Sequence, residues 1–371
     1  MILKQKKRIG FVFDGLVPSF RNCFSRLTIR PLLIGWKGKS SVYHARFRWI
    51  SSNINQFEPD LYYEVYRLGR RYDALVFLKS MNKDCLKLAH RMRSKGCKRF
   101  FDLNVDYITP PSGTFYYHGM APTENQREQA LAMVRDCDAV IADSWHLHKV
   151  VQACAVKAAW IPDNVPDHFI AGKSGWKPDR NEPLTLLWSG EAVKLFELLR
   201  IEELLRRFKS RVRLKLVTNS LEALAKIYEP WQSRLKHLLA EMECEIYPFN
   251  GLQSLMSIYD QGGIFISPRF LDNTYNMGHT EWKIALPMAR GRMVVCSDQP
   301  SYVDLAERAD GKGIRVCKDE AEWHAAFDEI LSGRLDWDRE QQAACMVIRN
   351  FYAASIVSKA HAAFVREVIE N

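Results

Sequence analysis

The densest run of chemistry-bearing side chains begins at Ser267-Pro268-Arg269 and continues through Phe270-Leu271-Asp272-Asn273-Thr274-Tyr275-Asn276-Met277-Gly278-His279-Thr280-Glu281-Trp282-Lys283. An apolar run ends at Ser267, and a helix is expected to start near Thr280, with His279 or Thr280 as its cap. A connection this rich in Arg, Asn, His, Thr, Glu and Lys is suited to gripping a polar or anionic ligand, because loops at strand ends carry function. A second stretch is Leu186-Leu187-Trp188-Ser189-Gly190-Glu191, leading to Lys194. Here a strand ends, Gly190 allows close backbone approach, and a helix N-terminus offers N–H groups to a phosphate, with the Lys194 ammonium one turn on. The bland alternative is an ordinary strand-to-helix turn. A third is Tyr247-Pro248-Phe249-Asn250-Gly251, where Phe249 could stack on a nucleobase or sit as a buried turn residue. In the first half, Asp14 follows the first apolar run, and Asp106 and His118 follow Asp102 in a loop of Pro, Gly and Tyr. Any of Asp14, Asp106 or His118 could act as a general base.

The elements that position these residues alternate. Strands are expected at Ile9–Phe13, Ala74–Leu78, Arg99–Leu103, Ala139–Ala142 and Ala158–Ile161, with helices at Lys83–Lys95, Glu124–Arg135 and Trp145–Ala153 between them. The Pro- and Gly-rich stretch from Pro166 to Pro183 breaks the rhythm and reads as a linker. The alternation restarts with strands at Leu184–Trp188, Val212–Val217, Glu243–Tyr247, Gly263–Ser267, Met293–Cys296 and Ile314–Val316. Helices are expected at Glu191–Phe208, Leu221–Met242 (broken near Pro230), Leu252–Asp260, Glu281–Arg290 and Glu320–Leu331, then through most of Asp336–Glu370. Continuous apolar strands alternating with helices predict parallel sheets covered on both faces. Ligands in such folds sit at the carboxyl ends of the strands, here expected between two domains.

With 371 residues, 47% hydrophobic and 26% charged, the composition is that of a globular chain of about two domains. No run approaches the ~20 apolar residues needed to span a bilayer. The basic N-terminus passes into a short strand rather than a signal peptide, so a cytoplasmic location is expected. The nine cysteines form no CxxC pair, which argues against a disulfide scaffold or a zinc site. From Leu16 to Arg99 there are 18 Lys and Arg against 5 Asp and Glu. This asymmetry suggests an anionic partner such as a membrane surface or a lipid-linked phosphate, or else a solvated basic face. No compact RNA or DNA motif accompanies it, so nucleic acid is not an expected partner.

Several segments resemble the GT-B glycosyltransferases, and within them the GT4-like group. They are Asp136-Cys-Asp-Ala-Val-Ile-Ala-Asp-Ser144, Trp160-Ile-Pro-Asp-Asn-Val-Pro-Asp167, Trp188-Ser-Gly190 through Lys194, Tyr259-Asp-Gln-Gly-Gly-Ile-Phe-Ile-Ser-Pro268, and Lys283-Ile-Ala-Leu-Pro-Met-Ala-Arg-Gly291 followed by Met293-Val-Val-Cys-Ser297. The resemblance implies an α/β chain of two Rossmann-like domains facing each other across a cleft. Residues 1–165 would hold the acceptor, 166–183 would link, 184–344 would hold a nucleotide sugar, and a C-terminal helix of about 345–371 would return to the first domain. It implies a sugar transfer from a nucleoside-diphosphate sugar to a glycan or lipid-linked acceptor, retaining and metal-independent, in polysaccharide or glycoconjugate assembly. No permanently bound cofactor is expected, and the protein could be peripheral on the cytosolic membrane face. Gly190, Lys194, Phe249, Arg269, Asn273, His279, Thr280, Glu281 and Lys283 would surround the donor. The family's ribose-binding Glu position is occupied by Leu286, and its acidic partner's position falls on Gly278. The alternatives are a non-catalytic GT-B protein that binds glycan or nucleotide, and a sugar-nucleotide epimerase of similar fold.

Overall fold

The computed structural model describes residues 6–13, 43–154, 156–172, 175–179 and 181–371. Asp14, one of the three candidate bases, lies outside them. The chain divides into two compact units.

Unit 1 comprises residues up to Pro110, Pro122–Pro166 and Tyr352–Asn371. Its strands are β1 (Lys7–Val12), β2 (Leu61–Val65), β3 (Ala74–Leu78), β4 (Lys98–Leu103), β5 (Ala139–Ala142) and β6 (Ala158–Trp160). They form one sheet in the order β2-β1-β3-β4-β5-β6, with every pair parallel. The strands read as unbroken apolar runs because both faces are buried. Val12, Leu75, Phe77, Phe101 and Val140 pack on one side with residues of α2 (Lys83–Arg93), α3 (Glu124–Asp136) and α4 (Trp145–Gln152). Ile9, Phe11, Val76, Phe100 and Ile141 pack on the other, against α1 (Trp49–Phe57) and the C-terminal helix. Strand β2 has no counterpart among the expected strands. It is an edge strand of mixed polarity, with Tyr62 39% exposed and Glu64 held by Arg70 at 2.7 Å, so it lacks the continuous apolar signature.

Unit 2 comprises Pro111–Ala121 and Asp167–Phe351. Its strands are β7 (Leu184–Gly190), β8 (Val212–Thr218), β9 (Cys244–Pro248), β10 (Ile264–Ser267), β11 (Val294–Ser297) and β12 (Ile314–Cys317). They form a second all-parallel sheet in the order β12-β11-β10-β7-β8-β9. The single helix expected over Glu191–Phe208 is instead a ten-residue 3₁₀ helix, Ala192–Ile201, followed by α5 (Glu202–Phe208). Only Lys194 and Arg200 of its ten residues escape burial. A 3₁₀ run this long is uncommon and tends to mark a functional spot. The helix expected over Leu221–Met242 is a 3₁₀ turn, Leu221–Lys226, and α6 (Trp231–Glu241), separated at Pro230. Next come α7 (Leu252–Asp260), α8 (Trp282–Ala289) and α9 (Pro300–Arg308). Helix α9, which starts on a proline, was not foreseen. Two further helices, α10 (Glu320–Leu331) and α11 (Trp337–Phe351), complete the unit. The chain then returns to unit 1 as α12 (Ala354–Glu370), where Arg366 bonds Asp60 at 2.7 and 2.8 Å.

Two segments lie elsewhere than their expected places. The stretch read as a linker packs as part of unit 2: Ala171 N–H donates to the Ala289 carbonyl, and Trp176 sits edge-on to Trp337 at 5.6 Å. Residues 111–121, taken as part of the first domain, also belong to unit 2 and carry His118 with them.

Candidate functional site

The site grows from the carboxyl ends of β7 and β10. Strand alternation puts Trp188 and position 190 on the same face. A Cβ on Gly190 would come within 3.0 Å of the Trp188 indole, so glycine leaves that ring its place. The Lys283 ammonium, at the start of α8, lies 4.4 Å from the indole's centre, a cation–π contact.

Glu197, on the buried side of the 3₁₀ helix, is fully enclosed and holds two cations. Its Oε1 accepts from Arg269 at 2.6 Å, and its Oε2 from Lys283 at 3.5 Å. Arg269 follows β10 and is itself buried. Its backbone N–H donates to Ser297 Oγ at 2.8 Å, a second nitrogen of its fork reaches the Tyr302 hydroxyl at 3.4 Å, and its Nε is buried without a partner. Burial holds the Lys283 amine down to about 7. Glu197 opposes that shift, while Arg269 and Lys194 reinforce it. Lys194 adds a third cation. Its ammonium is 3.2 Å from His279 Nε2 and 5.5 Å from the centre of the Tyr275 ring. His279 Nδ1 lies 2.6 Å from the Tyr275 carbonyl, which places its proton there and leaves Nε2 to accept from Lys194. Among the described residues no carboxylate pairs with Lys194. Two cations therefore share the Glu197 carboxylate and a third, Lys194, has none, which leaves an excess of positive charge suited to a polyanion.

The rest of the 269–283 loop builds the frame. Asn273 Oδ1 caps the single helical turn Thr274–Met277 by accepting the Asn276 N–H at 2.8 Å. The His279 carbonyl accepts from Gln299 at 2.7 Å and Ser301 at 2.8 Å. Thr280 Oγ1 accepts the Trp282 N–H at 3.4 Å, and Glu281 is buried beside it. The Ala192 N–H at the 3₁₀ terminus, expected to face a phosphate, instead donates to Asn219 Oδ1 at 2.8 Å. Phe249 is 46% exposed at the end of β9, its N–H held by the Thr218 carbonyl at 2.8 Å. Leu286 is buried in α8, so that helix presents an aliphatic side chain where the resemblance placed a carboxylate.

Of the candidate bases, Asp106 and His118 fall in different units. Asp106, in unit 1, is buried, and its Oδ1 accepts the N–H groups of Ile108 at 3.0 Å and Thr109 at 2.9 Å, which shapes a turn. His118, in unit 2, is exposed against Tyr228, with ring centres 4.3 Å apart.

Sequence reasoning missed Glu197 and Tyr302 and gave Trp188 no role of its own. The one signal for Glu197 was a lone acid inside Leu195-Phe196-Glu197-Leu198-Leu199. Among the described residues no group of three or more His, Cys, Asp or Glu is placed to hold a metal ion, and no helix is long and apolar enough to cross a membrane.

No family model and no curated protein matches the chain. Solved structures do. A glycosyltransferase from Rickettsia africae ESF-5 superimposes with a TM-score of 0.62 at 12% identity, over 99% of this chain and 100% of that one. The lipopolysaccharide outer core galactosyltransferase WaaB, in apo form, does so at 0.63 and 11%, over 97% and 99%. A trehalose-6-phosphate structure from E. coli, bound with UDP-2-fluoro glucose, does so at 0.55 and 13%, over 80% and 73%. The fold is GT-B. Two six-stranded parallel sheets, each flanked by helices, are its two Rossmann-like domains. In this GT-B chain the cation cluster occupies the carboxyl ends of the second sheet's strands, the edge where such sheets hold ligands.

Proposed function

We propose that the chain is a glycosyltransferase that moves a sugar from a nucleoside-diphosphate sugar to an acceptor hydroxyl. The observation that carries this reading is the pairing of Arg269 and Lys283 on the buried carboxylate of Glu197, with Lys194 held nearby by His279 from the same loop. As the acceptor oxygen bonds the anomeric carbon, the bond from that carbon to the diphosphate breaks, negative charge builds on the leaving oxygen, and the acceptor hydroxyl's proton passes to the departing diphosphate. Preformed cations in a partly dry site stabilise that charge most. Gly190 leaves the Trp188–Lys283 stack intact, and the Asn273–Lys283 loop, with His279, Thr280 and Glu281, frames the diphosphate and sugar. Phe249, exposed at a strand end, offers its ring to the base. The reading takes the transfer as retaining and metal-independent, since side chains meet the leaving charge. It places the acceptor, a glycan or lipid-linked hydroxyl of polysaccharide or glycoconjugate assembly, on the basic first unit, with the protein cytoplasmic and peripheral on an anionic membrane. The reading is supported by the fold shared with the WaaB galactosyltransferase and with a structure bound to UDP-2-fluoro glucose.

A donor screen by mass spectrometry against native lipid and glycan extracts tests it. One nucleoside-diphosphate sugar should be consumed and its sugar found on an acceptor. The absence of transfer and of any nucleotide-induced thermal shift would remove the reading. Leu286 favours a second one, a GT-B chain that binds nucleotide or glycan without turnover. Nucleotide binding with no transfer from any donor would select it.

A further inference from the structure

Residues 111–121 are flanked in sequence by unit 1 on both sides, yet they pack within unit 2. They form a strap that runs from the 269–283 loop to the end of the 3₁₀ turn Leu221–Lys226. At its start, Gly113 pairs with Asn273, the Thr114 N–H donates to the Asp272 carbonyl at 3.2 Å, and the Thr274 N–H donates to the Ser112 carbonyl at 3.2 Å. At its end, Tyr117 pairs with Ile227, and the His118 N–H donates to the Lys226 carbonyl at 2.9 Å. Between them the buried Tyr116 ring lies stacked on Phe196 at 4.8 Å and on Phe270 at 4.7 Å, with Trp231 edge-on at 4.9 Å. Its hydroxyl donates to Asp272 Oδ2 at 2.7 Å.

The chain neighbours of those stacked rings are the reason this matters. Phe196 precedes Glu197, and Phe270 follows Arg269, the two members of the buried ion pair. We propose that Tyr116 is a positioning residue for the anion site, setting the separation between the 3₁₀ helix that carries Lys194 and Glu197 and the loop that carries Arg269. A ring stacked on both elements fixes their spacing more sharply than aliphatic packing, because aromatic pairs have preferred geometries. The Asp272 bond then fixes the ring's rotation and ties down the residue before Asn273. This inference rests on the anion-site reading for its purpose but not for its geometry.

The test uses the full chain and two independent readouts. The first needs no ligand: limiting amine acylation followed by mass spectrometry reports the reactivity of Lys194 and Lys283. Tyr116→Ala should raise labelling at both by about fivefold or more as the cluster loosens, and Tyr116→Phe, which keeps the ring, should stay within about twofold of the parent. The second is calorimetric binding of inorganic pyrophosphate, a probe with no base or sugar. Its Kd should rise about tenfold or more in Tyr116→Ala and stay near the parent value in Tyr116→Phe, since small misplacements of charged groups are costly. Gly113→Ala is the second variant should Tyr116→Ala fail to fold. Its Cβ would stand 1.7 Å from the Asp272 carbonyl oxygen at φ +91°, so the strap must lift there and draw the Tyr116 ring away from its two partners. It should loosen labelling in the same direction. A lower Tm with labelling unchanged, measured well below the transition, would overturn the positioning role. If the parent fails to bind pyrophosphate, the anion-site reading falls, and the labelling arm still decides Tyr116.

Discussion

Lys283 sits buried over the Trp188 indole, where Glu197 favours its charge and the charges of Arg269 and Lys194 oppose it. Its folded value near 7 lies well below the ordinary lysine value, because burial disfavours the charged form. A bound polyanion reverses that balance and raises the value. Affinity for a nucleoside-diphosphate sugar is therefore full below pH 7 and declines as pH rises from 7 toward the higher value of the complex. Calorimetry at pH 8 in buffers of different ionisation enthalpy should show proton uptake on binding, and Lys283→Ala should abolish it. The same substitution should lower kcat/KM about 100-fold, as expected when one charge-stabilising group is lost. Stability has the opposite sign. Protonated Lys283 is held at a cost that is fully present below pH 7 and disappears as pH rises from 7 to the unfolded value near 10.5. Lys283→Met should then raise Tm by about 2–4 °C at pH 6 and by less at pH 9, measured by calorimetry. The cationic members of this cluster were legible in the sequence because they stand just past strand ends, Arg269 in a polar loop and Lys194 and Lys283 in the first turn of the helices that follow. Glu197 was not, because an acid within an apolar helical run reads as an interruption until the buried arginine appears beside it.

At the scale of elements, apolar strands alternating with helices were enough to reveal both sheets, since burial on two faces removes any ambiguity of period. What escaped were elements whose signal is mixed: the edge strand β2, half of whose side chains meet water or Arg70, and the 3₁₀ stretch, whose apolar content is the same in either helix type. A buried ionic knot in unit 1 was also invisible, because its members are far apart in the chain. Arg46, on the π-helical turn His44–Arg48, reaches Asp102 of β4 at 2.9 Å, the Ile161 carbonyl at 2.5 Å and Asp163 at 3.7 Å. Burial raises the Asp102 and Asp163 carboxyls, the latter to about 6, against the pull of the guanidinium. Arg46→Leu leaves enclosed carboxylates without their counter-charge. It should destabilise the protein by about 3–5 kcal/mol, read as a lowered denaturant midpoint and partly rescued at low pH where those acids are protonated.

At the scale of the whole molecule, the GT-B layout was legible because two rounds of strand–helix alternation are separated by a break. The exact division was not. The Pro- and Gly-rich break packs onto unit 2, and the loop carrying Tyr116 and His118 joins unit 2 although it sits between two elements of unit 1. Local sequence sees a loop's neighbours in the chain, and here the decisive neighbours, Phe196 and Phe270, are distant in it. The second unit is thus a discontinuous body, with eleven of its residues inserted inside the first. Expressing residues 167–351 alone would yield a fragment with a vacant aromatic slot, prone to self-association through the uncovered Phe196 and Phe270 faces. A synthetic peptide of residues 111–121 should fill that slot in trans, restoring a monomeric fragment by gel filtration with an accompanying change in tryptophan emission, whereas the same peptide with alanine at its tyrosine 116 position should not.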